Sequence, residues 1–341
     1  MSGWKNLVGH EWAVQLLVSA IANDHVGHAY LITGAERIGK TTLARTFAQA
    51  LNCEAPIPER PCGSCRTCRL ISSDHHPDVR LVEPHVSGRG KLTIKIEQIR
   101  ELQKELNLLP YEARRRVAIL KRFDTANVNA ANAFLKTLEE PPGKVVLLLT
   151  ANDADSLLPT IASRCRTIGL RPLKSTLVEE SLMAGWGVKA DEAQVLSRLA
   201  DGRLGWAVEA SKDSSLLADR QQQLVHLREA LGGNRVRRFA LAEKLARKPE
   251  LLPNLLKTWL SWWRDLALLA YRKDSVGPIV PISNVDQKQL LNDFASEWRR
   301  EWVLSSFKQT DLAIWQLGRN GNTRLVLENL LLNYPLPHQD K

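Results

Sequence analysis

The sequence predicts an α/β domain, a parallel sheet covered by helices and carrying an inserted cysteine-rich module, followed by a small helical lid and an all-α domain. Three observations predict it. Short apolar, β-branched runs at residues 29–33, 117–120 and 145–150 alternate with segments of helical period, the pattern of a sheet buried on both faces. A glycine-bearing turn joins the first run directly to a helix. After Leu170 the strand signal vanishes, and almost everything from Leu216 to Leu332 follows a helical period.

The elements follow in order. Val14, Leu17, Val18 and Ile21 share one face of an opening helix. Residues 29–33 form a buried strand, Gly34 to Gly39 a loop, and residues 41–51 a helix with Leu43, Phe47 and Leu51 four apart. Cysteines interrupt the order between residues 53 and 68. A strand at 79–82, a glycine-containing loop at 86–91 and a helix marked by Ile96, Ile99, Leu102 and Leu106 come next. The second buried strand, a helix at 130–138 stopped by Pro141-Pro142, and the third buried strand complete the domain near Gly169. Residues 170–212 read as short helices with a break at Gly202-Arg203-Leu204-Gly205. Residues 213–341 form the second helical domain, interrupted by a long loop at 272–287 that contains Gly277, Pro278 and Pro281. The expected division is therefore 1–169, 170–212 and 213–341.

Composition narrows the class. With 341 residues there is room for two or three domains, and 44% apolar against 25% charged residues excludes a mainly disordered or collagen-like chain. No apolar leader follows Met1, and the best apolar run, 145–149, falls far short of the roughly 20 residues a membrane-crossing helix needs. A cytoplasmic protein is the expectation. The net charge of +10 is spread: residues 1–170 carry 22 basic and 17 acidic side chains, and the remainder 25 and 20. Such an excess suits a partner bearing phosphates, and equally a chain kept soluble by charge.

Gly34-Ala35-Glu36-Arg37-Ile38-Gly39-Lys40-Thr41 is a full phosphate-loop match. Gly34 and Gly39 let backbone N–H groups converge on phosphate oxygens. The helix that follows presents its N-terminus, where Thr41 and Thr42 lie, as an anion site. Lys40 supplies a point charge for the terminal phosphates and Thr41 a hydroxyl for Mg²⁺. Hydrolysis also requires an acidic residue at the end of a second strand to hold Mg²⁺. Here the strand at 117–120 runs into Lys121-Arg122-Phe123-Asp124. Two cations stand where the acid is needed, and Asp124, three residues further on, is the only substitute nearby. ATP or ADP is the expected ligand, without well-held Mg²⁺.

Cys53, Cys62, Cys65 and Cys68 fall within 16 residues at spacings used by zinc sites. Four thiolates close a tetrahedral shell, so the metal would be structural Zn²⁺. A redox role for Cys-Gly-Ser-Cys, and His75 or His76 as alternative ligands, are the competing readings. Cys165 stands apart, with no partner base to make it a nucleophile.

Two further stretches carry a resemblance. Ala133-Phe134-Leu135-Lys136-Thr137-Leu138-Glu139-Glu140-Pro141-Pro142 and Leu158-Pro159-Thr160-Ile161-Ala162-Ser163-Arg164-Cys165, together with the phosphate loop and cysteine insertion, closely resemble bacterial DNA polymerase III clamp-loader subunits of the AAA+ class. The similarity covers about residues 5 to 210, and beyond that only length and helical character match. The resemblance implies an AAA+ domain with a zinc module, a lid, and a helical collar that joins a hetero-pentamer of motor subunits and delta. It also implies work on a sliding clamp and on primed DNA, contacted through phosphates. Arg164 takes, by resemblance, the place of an arginine finger acting in trans on a neighbour's ATP. Asn152 falls where the family has its sensor for the terminal phosphate, although Asn152-Asp153 also suits a turn. Motor subunits carry an acidic pair in place of Lys121-Arg122 and a sensing arginine where this chain has Gly205, with Arg203 nearby. Both departures favour the delta-prime type, a component of the polymerase holoenzyme rather than an independent ATPase. The alternatives are a gamma/tau-type motor ATPase and, from another class, a zinc-dependent DNA-binding module with nucleotide as a structural ligand.

Six of the ten tryptophans lie between residues 259 and 315 at helical spacings, read as a filled helical core or as an aromatic face for subunit contact. Arg114-Arg115-Arg116, Lys91 and Lys95 are candidates for DNA phosphates or plain solvated cations.

Overall fold

The computed structural model describes residues 3–86, 92–272, 281–319 and 321–335. Residues 87–91 of the loop expected at 86–91, with Lys91, and the middle of the one expected at 272–287 lie outside the described residues. The chain divides into two compact units, residues 1–181 with 202–206, and residues 182–201 with 207–341.

The first unit is built on a five-stranded sheet. Its strands are β1 (Ala29–Thr33), β2 (Val79–Val82), β5 (Arg116–Leu120), β6 (Val145–Ala151) and β7 (Arg166–Gly169), in the order β2-β5-β6-β1-β7. Every pairing is parallel: Ala29 lies opposite Leu147, Tyr30 opposite Arg166, Val79 opposite Val117 and Arg116 opposite Val145. A small antiparallel hairpin, β3 (His85–Val86) with β4 (Leu92–Thr93), stands beside it. The helices of this unit are α1 (Glu11–Ala22), α2 (Lys40–Asn52), α3 (Arg66–Ser72), α4 (Ile96–Leu106), α5 (Val128–Glu139), α6 (Pro159–Ala162) and the start of α7 (Ser175–Trp186).

Alternation along the strands separates two cores. Tyr30, Ile32, Val117, Ile119, Val146 and Leu148 face Leu17, Leu43 and Phe47 of α1 and α2. Ala29, Leu31, Ala118, Leu120, Leu147 and Leu149 face Ile99, Leu102, Phe134 and Leu138 of α4 and α5. This is the covered parallel sheet that the apolar runs predict. The sequence reading lacks β7. Only Ile168 of that strand is buried, so no apolar run marks it. It is an edge strand and needs to satisfy one neighbour alone.

The second unit is helical: α8 (Ala190–Leu199), most of α9 (Leu204–Lys212), α10 (Ser215–Gly232), α11 (Arg235–Ala246), α12 (Leu252–Arg272), α13 (Lys288–Glu297), α14 (Arg300–Gly318) and α15 (Thr323–Asn333). Trp259, Trp262 and Trp263 project from α12 into its core with Leu256, Leu291, Val303, Leu327 and Tyr334. Trp263 stacks near Trp298 and Tyr334, so these tryptophans fill a core. Trp315 on α14 is the exposed one, with Arg319 over its ring. No helix of the described residues is long and apolar enough to cross a membrane.

Candidate nucleotide site and cysteine cluster

The carboxyl ends of β1, β5 and β6 lie side by side in the sheet, and each delivers part of one site. From β1 comes the phosphate loop. Gly34 and Gly39 have φ of 139° and 112°, values that side chains rarely tolerate, and Gly39 leads into α2. A Cβ on Gly39 would meet nothing within 4 Å, so the loop is open on the side where a phosphate would approach. Lys40 is buried, and its ammonium donates to the carbonyls of Gly34 (2.5 Å) and Ala35 (2.8 Å). It also reaches Asn152 Oδ1, just past β6, at 3.3 Å. Thr41 and Thr42 lie in the first turn of α2, where backbone N–H groups lack helical acceptors. The residues fit an anionic phosphate group.

Mg²⁺ fits less well. The end of β5 presents Lys121, paired with Glu83, and Arg122, whose Nη2 lies 3.3 Å from Glu36 Oε1 in the phosphate loop. Arg122 takes a left-handed conformation (φ 49°), and its N–H donates to Thr150 Oγ1 of β6 at 3.0 Å. Asp124 turns back toward the site. Its carboxylate accepts from Asn152 Nδ2 at 3.2 Å. Burial pushes its pKa up, while Arg122 and then Lys40 act in the opposite sense. The one acid that follows β5 at this end of the sheet is thus already under the influence of two cations.

The absence of an arginine at position 205 has a steric reason. The Gly205 N–H donates to Arg37 O of the phosphate loop at 2.9 Å, and a Cβ there would sit 2.5 Å from that oxygen. The start of α9 therefore touches the loop with backbone. Arg203, two residues earlier and just before α9, places its guanidinium over Trp206.

The four cysteines come together. Their Sγ atoms lie within 4.8 Å of one another, and Cys53 and Cys68 are buried. A tetrahedral zinc–thiolate shell needs sulfurs about 3.8 Å apart, close to this arrangement. Backbone N–H groups already point at the sulfurs: Cys62 at Cys53 Sγ, Cys65 at Cys62 Sγ and Cys68 at Cys65 Sγ, at 3.3, 3.3 and 3.4 Å. The N–H groups of Cys65 and Ser64 hold the Cys62 thiol down to about 6, whereas burial raises Cys53 and Cys68. This donor set can hold a metal ion. His76 is instead buried with Nδ1 accepting from the Asp78 N–H, and neither His75 nor His76 joins the cluster.

Arg164 is exposed beyond α6. Its Nη2 lies 2.8 Å from Glu139 Oε1 at the end of α5, and its Nη1 donates to Thr160 O at 2.9 Å. The Glu139 and Arg164 motifs, 25 positions apart in sequence, meet in this ion pair. Burial lifts the Cys165 thiol to about 11, which disfavours a thiolate there. In the arginine run, Arg116 is bound to Asp78 and Leu109 O and Arg115 to Asp24, while Arg114 stays exposed. The Glu36–Arg122 and Glu139–Arg164 pairs had no sequence signal, because each joins residues distant in the chain.

The family model described as DNA polymerase III, delta subunit, matches residues 9–174, which hold the phosphate loop, the cysteines and Arg164. The chain is 29% identical to DNA polymerase III subunit delta' of Bacillus subtilis over 94% of both chains. It is 41% identical to the delta' subunit of Pseudomonas aeruginosa over 40% of this chain and 41% of that one. Tau and gamma subunits of the same polymerase also match. A DNA polymerase III gamma subunit-related protein of Thermotoga maritima superposes over 93% of this chain and 97% of that one, with 18% identity and a TM-score of 0.43. The family model thus spans the phosphate loop, the cysteines and Arg164, and the similarity to a delta' subunit runs almost the whole length of the chain.

Proposed function

We propose that the chain serves as the stationary arm of a DNA polymerase III clamp loader, lending Arg164 to a neighbour's ATP rather than hydrolysing its own. The observation that carries this is the end of β5. Lys121 and Arg122 occupy the strand end beside the phosphate loop, where a hydrolysing site needs an acid to hold Mg²⁺. The start of α9, at Gly205, leaves no room for a sensing arginine. Asp124 favours the motor reading, since its carboxylate turns toward Asn152. Arg122 and Lys40 already act on it, and a divalent cation there would have to displace its bond to Asn152.

On this reading Gly34, Gly39, Lys40, Thr41, Thr42 and Asn152 hold ATP or ADP, and Cys53, Cys62, Cys65 and Cys68 hold structural Zn²⁺. Residues 1–169, 170–212 and 213–341 act as nucleotide-fold domain, lid and collar. The partners are motor subunits and delta in a cytoplasmic hetero-pentamer, a sliding clamp, and primed DNA met through its phosphates. The exposure of Arg164 supports action in trans, since an arginine finger must reach outward.

The test is steady-state ATP hydrolysis by a reconstituted clamp loader containing this chain or its Arg164→Ala form, with the chain alone as blank. The expected result is a silent chain and a complex slowed by about 10³-fold at the affected site in the variant. Turnover by the chain alone, abolished by Lys40→Ala, would make it a motor instead.

A further inference from the structure

The phosphates of ATP or ADP carry three or four negative charges, and a phosphate loop alone supplies one lysine and a helix N-terminus against them. A bound divalent cation ordinarily makes up the difference, held by acids at the neighbouring strand end. This chain offers a different source of positive charge at that position. Arg122 stands at the end of β5 in a left-handed conformation, its backbone fixed by Thr150 of β6. Its guanidinium reaches back to the phosphate loop itself, 3.3 Å from Glu36, four residues before Lys40. Its Nε is buried with no hydrogen-bond partner among the described residues, as is Asp124 Oδ1. Lys40 and Arg122 act on the same Asp124 carboxylate from the loop and from the strand end. Lys40 and Asp124 each bond the Asn152 side chain, so the loop lysine, the acid and the Arg122 strand end border one site.

We propose that Arg122 replaces the divalent cation: the site takes a nucleoside di- or triphosphate without metal, its charge neutralised by Lys40 and Arg122 together. The inference rests on the phosphate loop binding nucleotide. Chemistry favours arginine for this task, because its planar fork pairs two phosphate oxygens at once and it stays charged at every physiological pH. Glu36 keeps the guanidinium at the loop until the more highly charged phosphates compete for it. Asp124, tied to Asn152, balances the two cations in the absence of nucleotide. A site of this kind retains nucleotide as a structural element and lacks the metal that hydrolysis would need.

The experiment is calorimetric titration of the full chain with ADP and with ATP, in Mg²⁺ and again in EDTA. Wild-type affinities are expected to agree within about twofold in the two buffers. Arg122→Gln should weaken binding in EDTA by about tenfold or more, and Arg122→Lys should recover part of that loss. Thermal melts of both variants establish that they are folded, and the Lys40→Ala form, expected not to bind, assigns the heat to the phosphate loop. Binding by the wild type that collapses in EDTA overturns the proposal and leaves nucleotide binding intact. Unchanged affinity in folded Arg122→Gln overturns it in the same way. No binding in either buffer removes the nucleotide reading and the proposal with it.

Discussion

Asp78 illustrates how one buried carboxylate fixes a turn. It lies immediately before β2 and takes N–H groups from Tyr111, Glu112 and Ala113 at 2.8, 2.8 and 2.9 Å, with Arg116 Nη2 at 3.0 Å. Burial alone would raise its pKa. The N–H groups of Glu112, Tyr111 and Ala113, and then Arg116, outweigh that and hold it at about 2. A carboxylate held below its ordinary value near ~3.9 adds stability that is complete above that value and lost as pH falls through the folded one, about 2 kcal/mol here. Asp78→Asn should therefore cost about 3 kcal/mol at neutral pH in denaturant titrations and flatten the loss of stability between pH 4 and 2. An acid limb as steep as that of the wild type would show that the clamp does not govern it. Nothing in the sequence singles out Asp78, because its partners, three backbone N–H groups and the Arg116 guanidinium, lie more than thirty residues away. Lys40 and Lys121-Arg122 were legible, since a phosphate loop and a strand end are local patterns with one chemical reading each.

At the scale of elements, local pattern sufficed wherever an element is buried on its own terms. The fully buried β6 announces itself in sequence, whereas β7, with one buried residue, does not. The helix α3 escaped for a related reason: it has seven residues and is held by the cysteine cluster rather than by an apolar stripe. Cys65 Sγ caps its N-terminus by accepting from the Cys68 N–H, Cys68 lies inside it, and Gln49 of α2 donates to Cys68 O at 2.8 Å. An element this short gains little from propensity. The metal is accordingly expected to be the agent that holds α3. Metal analysis of the purified chain should return close to one zinc per molecule, and stripping with a strong chelator should expose the amides of α3 to hydrogen exchange while β1 and β6 keep their protection. Less than half an equivalent of zinc under reducing, chelator-free conditions would refute the four-thiolate site. Unchanged protection of α3 after stripping would mean that α2 packing alone suffices.

The two units of the molecule are stabilised by different means, and the described residues of the second hold no glycine loop or metal cluster to organise it. Its helices close around the tryptophans of α12, and the end of α15 is locked by a single buried cation. Arg238 of α11 donates to Gly233 O, to Leu331 O and Tyr334 O, and to Pro335 O, at 3.1, 2.9, 2.5 and 2.7 Å. These acceptors include the carbonyl end of α15, where the helix dipole is negative, so the charge is met by oriented carbonyls rather than by a carboxylate. Burial lowers the Arg238 pKa, but the group remains charged at every pH at which the protein is handled. Arg238→Met keeps the volume and removes all four bonds, leaving carbonyls buried without donors. The expected cost is about 2–4 kcal/mol, read as lost amide protection in α11, α12 and α15. Because the phosphate loop and cysteine cluster belong to the other unit, nucleotide affinity and zinc content of the variant should stay at wild-type values. A parallel loss of zinc or nucleotide would mean that the two units fold as one cooperative body, and then the second unit could not be altered without altering the site.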